Sequence, residues 1–226
     1  MELATGYYTR RKPWLLGGFD WAAAKIRPIA IRHYGERLTH VLAVEARQEF
    51  EALIPQLPYI GGSRNPHTPL IVGAAMFLAL YRPLKARDRP VQEIGALASE
   101  AVETVYGLFP RSLFPLYGRR TFSRHTLRRA HKRALESQQR RYRGDWVYTV
   151  VEGDGSAFDW GIDYVECGIC KLYHAQGADE FVPYLCQLDF IASAWFGWGL
   201  GRTMTLAEGN EKCDFRFTRT KGRIDF

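Results

Sequence analysis

The stretch WVYTVVEGDGSAFDWGIDY, from Trp146 to Tyr164, decides the fold class. In its second half apolar and polar residues alternate, as they do on a strand with one buried face. The tripeptide Gly-Asp-Gly at 153–155 separates this half from the apolar run 146–151, and such separators favour tight turns. The sequence therefore predicts a β-hairpin with strands at 146–151 and 158–164.

The residues before this hairpin have helical periodicity. After Pro90, apolar residues recur at i, i+3, i+4 and i+7 as far as Val105, which predicts a helix with one buried face. A loop rich in proline and glycine is predicted at 55–66. Further helices are predicted from Ile29 to Ala52, from Leu70 to Arg82, where nearly every residue is apolar, and from Ser123 to Tyr142.

The residues after the hairpin predict a helical block and a second pair of strands. The helical block runs from Ala178 to Phe196, and the strands from Arg202 to Ala207 and from Cys213 to Thr218. This order indicates an α+β fold, with a helical N-terminal half packed on an antiparallel sheet that the C-terminal third forms with an inserted helix. We expect a single domain over 1–226, mainly helical over 1–143 and strand-rich over 144–226.

The composition is typical of a globular protein, with 46% hydrophobic and 24% charged residues. The longest apolar stretch, Leu70 to Leu80, is too short to cross a bilayer, and the first residues lack the apolar run of a secretory leader. We therefore expect a cytoplasmic protein without a membrane span. Four cysteines in such a chain predict thiols or metal ligands rather than a disulfide framework.

The net charge of +7 comes from one segment, Arg119 to Arg143, which carries ten Lys or Arg residues and one acid. Such a run could bind phosphates. However, no helix-turn-helix, zinc finger or glycine-rich phosphate loop accompanies it, so we interpret it as a solvated helix face and expect no nucleic-acid partner. The expected partner is a small-molecule substrate, with a homo-oligomer left open.

All four cysteines lie in the last third of the chain, together with several acids. Asp189 follows Cys186 by three residues, so that the two side chains share one face of the predicted helix. We expect the thiols and acids to meet in one cleft. The cysteines are Cys167, Cys170, Cys186 and Cys213, and the acids are Asp163, Glu166, Asp189, Glu208 and Asp214.

Four segments of this region, 163–171, 185–190, 202–209 and 212–217, resemble the family of L-2-amino-thiazoline-4-carboxylate hydrolases. The shared pattern is a cysteine that closes a strand, Cys-x-x-Asp on a helix, and a Thr-Leu-x-x-Gly turn that leads to Cys-Asp-Phe. The resemblance implies hydrolytic opening of a five-membered thiazoline ring to an N-carbamoyl cysteine. The region is also similar to small-molecule-binding domains of the four-vinyl-reductase type, which are associated with bound metal.

Hydrolysis of a cyclic C=N bond assigns roles to these residues. Water must add to an amidine-like carbon, which requires a general base, and a carboxylate would orient the amidinium. A guanidinium suits a planar substrate carboxylate. The catalytic candidates are Cys186, Asp189, Cys213 and Asp214, and the substrate-binding candidates are Arg202, Glu208 and Cys167.

The sequence leaves the mechanism open. In a covalent route Cys186 is the preferred nucleophile, although a neighbouring carboxylate raises the pKa of a thiol. In a metal route, zinc would activate water, and His174 is a further candidate ligand. Oxidoreduction by a dithiol ranks last, because no thioredoxin-like context surrounds the Cys-x-x-Cys segment. The zinc ligands would be Cys167, Cys170, Cys186 and Cys213.

Overall fold

The computed structural model describes residues 6–219. Helices form most of the N-terminal part and a four-stranded antiparallel sheet lies in the C-terminal third, which confirms the α+β prediction. No helix within 6–219 is both long and apolar enough to cross a bilayer. The elements are α1 (Lys12–Leu53), α2 (Thr68–Lys85), α3 (Val91–Gly107), α4 (Leu113–Arg120), α5 (Arg124–Ser137), β1 (Val147–Glu152), β2 (Trp160–Glu166), α6 (Gly168–Ala175), α7 (Val182–Phe196), β3 (Gly199–Gly201) and β4 (Cys213–Thr218).

Helix α1 begins at Lys12, well before the predicted start at Ile29. One side of its first turns is buried through Leu15, Leu16 and Phe19. The Phe19 ring stacks on the Phe50 ring, with the two ring centroids 5.1 Å apart. A kink at Gly35, where φ is 73° and ψ is 166°, lets the two halves of the helix take different directions around the core.

Helices α2 and α3 form the centre of the helical layer, as the sequence predicted. In α2, Ile71, Ala75 and Leu78 are fully buried. In α3, Gly95 allows close contact with α7, because a Cβ at this position would lie 2.2 Å from Cδ1 of Tyr184. This close contact fixes the position of α7, which carries two of the candidate site residues.

The long basic helix predicted to end at Tyr142 ends at Ser137 instead. Its N-terminus is as predicted, since the Ser123 hydroxyl accepts a hydrogen bond from the backbone N–H of Thr126. At the C-terminus, Ser137 and Gln138 bond to β1: the Tyr148 N–H donates to Ser137 Oγ, and Gln138 Nε2 donates to the Tyr148 carbonyl. These side-chain hydrogen bonds to β1 therefore end α5 at Ser137.

Helix α4 forms although two prolines lie at its start. Pro110 precedes the helix and Pro115 lies in its first turn, where a missing N–H breaks no intrahelical hydrogen bond.

The sheet has the strand order β1-β2-β4-β3, and the predicted hairpin forms β1 and β2. Strand β4 also lies where it was predicted. Its second partner is Gly199–Gly201 rather than 202–207, so that prediction was wrong. The left-handed Gly197 ends α7 and directs the chain immediately into the sheet, and residues 202–207 then form a loop with a 3-10 turn at Leu206–Glu208.

Strand register separates the side chains of the sheet into two sets. Tyr164 lies opposite Cys213, and Trp160 lies opposite Phe217, on the face that joins the hydrophobic core. Asp163 is paired with Asp214 of β4. Because neighbouring residues of a strand point to opposite faces, these two side chains lie on the other face of the sheet. The core-facing set forms one wall of the candidate site.

The Gly35 kink can be tested with a matched pair of glycine substitutions. Gly35→Ala should lower the free energy of unfolding by about 1–2 kcal/mol, because a Cβ disfavours positive φ. Gly17→Ala, at an exposed helical position of α1 with open space around it, should raise it by about 0.4–1 kcal/mol. Urea unfolding measures both, and equal stability of the two variants would contradict the kink.

Candidate active site

The four thiols converge where α6 and α7 meet the core face of β2 and β4. All are free; Cys213 is buried and the other three are half-buried. Cys167, Cys186 and Cys213 lie within electrostatic reach of Cys170, since the charge of each would raise the pKa of the Cys170 thiol. We call this region the thiol crevice and define it by Cys167, Cys170, Cys186, Cys213, Asp189, Tyr164 and Arg202.

Cys167 directly follows β2 and is the N-cap residue of α6. The Cys170 thiol, which has the largest effect, and the backbone N–H groups of Cys170 and Ile169 favour the charged form of its sulfur. Together they lower the pKa of the Cys167 thiol despite its burial. Gly168 makes this cap possible, because a Cβ there would lie 2.7 Å from the Gly144 carbonyl oxygen.

The other three thiols are held in the neutral form. The interaction with Cys167, followed by burial, raises the pKa of Cys170, which lies inside α6. Burial also raises the pKa of Cys186, where Arg202 opposes the shift and Asp189 adds to it. Burial raises the pKa of Cys213 to about 11, although the Leu206 N–H donates to its sulfur at 3.2 Å.

Asp189 is the carboxylate of the thiol crevice. It accepts a hydrogen bond from Arg202 Nη1 at 2.8 Å, and Arg202 Nη2 donates to the Cys186 carbonyl at 3.0 Å. Burial raises the pKa of Asp189 to about 6, against the opposing effect of Arg202, yet 43% of its side chain is accessible. At neutral pH this carboxylate is mostly ionised and can accept a proton.

Arg202 is brought to the crevice, as the sequence predicted, but its side chain is only 3% exposed. The guanidinium carbon lies 5.1 Å from the centre of the Phe190 ring and 5.0 Å from that of Phe215. With both terminal nitrogens occupied, it has little surface left for a ligand. Its position suits the support of Asp189.

Two tyrosines near Asp189 were missed at the sequence level. Burial is the main cause that raises the pKa of Tyr164, and burial with the charge of Asp189 raises that of Tyr106. Both phenols therefore remain protonated near neutral pH and can donate hydrogen bonds. The alternation of apolar and polar residues in β2 placed Tyr164 on the buried face, but the residue that lies opposite it depends on strand register. Tyr106 belongs to α3, which is far from the other site residues along the chain.

Asp214 and Glu208 are not brought into the crevice. Asp214 lies on the face of β4 opposite to Cys213, and its Oδ1 accepts hydrogen bonds from the N–H groups of Thr203 and Met204 at 2.9 and 2.8 Å. Glu208 is exposed and accepts a hydrogen bond from the Thr205 hydroxyl. Both carboxylates organise the loop that follows Arg202.

The candidate zinc ligands do not fit a metal site. Over residues 6–219, no three or more His, Cys, Asp or Glu side chains are grouped so that they could hold a metal ion. The Cys213 sulfur already accepts a hydrogen bond from the Leu206 N–H. His174 is exposed and pairs with Asp179 at 3.0 Å.

The model of one protein family, L-2-amino-thiazoline-4-carboxylic acid hydrolase, matches residues 71–217. The chain belongs to this family. The matched residues cover more than half of the chain and include the whole thiol crevice, whereas α1 precedes them. Searches among curated proteins and among solved structures returned no match. The family name indicates a hydrolase.

The environments of the four thiols predict an order of reactivity. Cys167 should be alkylated by iodoacetamide several-fold faster than Cys186 at pH 7, because only the thiolate reacts. Cys170→Ala should slow alkylation of Cys167, since its pKa rises when the S–H donor is lost. Peptide mass spectrometry after timed labelling measures the order. Faster labelling of Cys186 than of Cys167 would contradict the assignment.

Proposed function

We propose that this protein opens a cyclic C=N bond of the thiazoline type in a small amino-acid-like substrate by addition of water. The observation that carries the proposal is the pairing, in one crevice, of a thiol whose pKa is lowered with a carboxylate whose pKa is raised to about 6. The thiol supplies a nucleophile, and the carboxylate supplies a base that works at neutral pH. Membership of the hydrolase family supports the substrate class.

In the first step, the Cys167 thiolate attacks the amidinium carbon between the ring sulfur and the two nitrogens. The bond from that carbon to the ring sulfur then breaks, the sulfur leaves as a thiolate that takes a proton from solvent, and an isothiouronium remains on Cys167. The Asp189 carboxylate is placed to hold the amidinium, and Tyr164 is a candidate donor to the departing sulfur.

In the second step, Asp189 takes a proton from water as the water oxygen bonds to the same carbon. The bond between this carbon and Cys167 Sγ breaks, which restores the thiolate and leaves a urea, the N-carbamoyl group of the product. The proton on Asp189 and the one from the hydroxyl of the adduct return to solvent. Asp189 thus acts as a general base, which requires it to be ionised.

Conservative substitutions of the two groups test these roles. Asp189→Asn and Cys167→Ser should each lower kcat/KM for L-2-amino-thiazoline-4-carboxylate by about 100-fold or more, with thermal unfolding little changed. Asp179→Asn, at an exposed acid that pairs with His174, is the matched control and should retain activity. Full activity of Asp189→Asn, or loss in Cys186→Ser but not in Cys167→Ser, would refute this mechanism.

The pH dependence of kcat/KM tests the pairing of Asp189 with Arg202. Activity should be lost as the pH falls through about 6, because Asp189 becomes protonated. Arg202→Met removes the charge that lowers the pKa of Asp189, so the acidic limb should move to higher pH, whereas Arg202→Lys should move it less. An acidic limb at the same pH in Arg202→Met and wild type would show that Asp189 does not control the rate.

The geometry at α6 also favours a second candidate function, thiol–disulfide exchange. Cys167 at the helix N-terminus, with a thiol pKa that the neighbouring Cys170 lowers, is an arrangement that suits such exchange. Cys170→Ser distinguishes the two candidates, because serine keeps a donor for Cys167 but cannot form a disulfide. Retained thiazoline hydrolysis supports the hydrolase, whereas loss confined to reduction of a disulfide substrate supports exchange.

A further inference from the structure

A cavity of about 410 Å³ lies between the loop before α2, the C-terminal end of α5 and the start of β1. Its volume is within the usual range for small-molecule sites. We call it the basic cavity, because four arginines reach it. The lining residues that matter here are Arg64, His67, Arg133, Arg140, Arg141 and Trp146.

The charge of this lining is not balanced. Two acids, Glu136 and Asp145, face four arginines. Arg140 donates to Glu166 Oε1 at 2.8 Å. For the other three arginines, no carboxylate of the described residues 6–219 lies within ion-pair distance. Three guanidinium groups around one cavity therefore have donors available for an anion.

The imidazole of His67 lines one side of the basic cavity. Asp145 Oδ1 lies 3.7 Å from His67 Nδ1 and accepts the Trp146 N–H at 2.8 Å, and Asp145 Oδ2 accepts from Asn65 at 2.6 Å. The His67 ring is 14% exposed and packs on Trp146 with centroids 4.5 Å apart. Asp145 therefore lies on the Nδ1 side of the His67 ring.

The backbone at the rim of the basic cavity is strained. Arg140 has a φ of 45°, in the left-handed region that residues with a side chain rarely occupy. Its ion pair with Glu166 holds this conformation where the chain turns from α5 toward β1. Strain of this kind is concentrated at ligand-binding positions.

We propose that the basic cavity binds a small molecule through an oxyanion group, a phosphate or a carboxylate. Guanidinium groups bind both groups in bidentate geometry, and Arg133 in α5 and Arg141 just after α5 are two of the arginines without an ion pair that line the cavity. His67 adds a ring nitrogen to the lining, and Trp146 supplies an apolar surface for the rest of the ligand. None of the residues that define the thiol crevice lines this cavity, and the proposed anion binding does not depend on the proposed hydrolysis.

Calorimetric titration with inorganic phosphate and with succinate, at constant ionic strength in chloride, tests the site. Saturable binding of either anion is expected, and Arg133→Gln and Arg141→Gln should each weaken it about 10-fold. Arg128→Gln, which removes the same charge from an exposed position of α5 outside the cavity, should change affinity less than about 2-fold. Circular dichroism verifies that each variant is folded.

Three outcomes would overturn the proposal. The first is no saturable binding of either anion to the wild-type protein. The second is equal weakening by Arg128→Gln and Arg133→Gln, which would indicate attraction by net charge alone. The third is unchanged affinity in His67→Gln, Arg133→Gln and Arg141→Gln together, which would place the bound anion elsewhere.

Discussion

The ion pair between Asp189 and Arg202 is the interaction on which the thiol crevice depends. A carboxylate in a desolvated position would take up a proton, and Arg202 limits this shift so that its pKa stays near 6. The arginine is itself buried between two aromatic rings and bonded to the Cys186 carbonyl, so it also ties the loop after β3 to α7. One pair thus sets both the electrostatics and the shape of the crevice.

The fold could be predicted from the sequence where periodicity carries the information. The α3 helix and the hairpin of β1 and β2 follow directly from spacing, as does the buried α2. The predictions failed where side chains from distant elements decide the outcome. Residues 202–207 looked like a strand, but Asp214 holds part of this segment as a loop, and Ser137 ends α5 by bonding to β1.

The candidate site was only partly predictable for the same reason. That the thiols and Asp189 would meet was an inference from residue types, and the structure brings them together. The lowered pKa of the Cys167 thiol depends on α6, a short helix whose first turn lies beside its sulfur. Sequence spacing favoured Cys186 instead, because spacing shows neither burial nor the direction of backbone N–H groups.

The alternation of Cys213 and Asp214 along β4 makes the crevice sensitive to strand alignment. A slip of one residue against β2 would exchange the two side chains, turning a carboxylate toward the core and a thiol outward. The hydrogen bonds of Asp214 to the loop at 203–204 oppose such a slip, because they form only when this side chain points away from the core. Asp214, which lies outside the proposed reaction centre, thereby stabilises the register of β4 against β2.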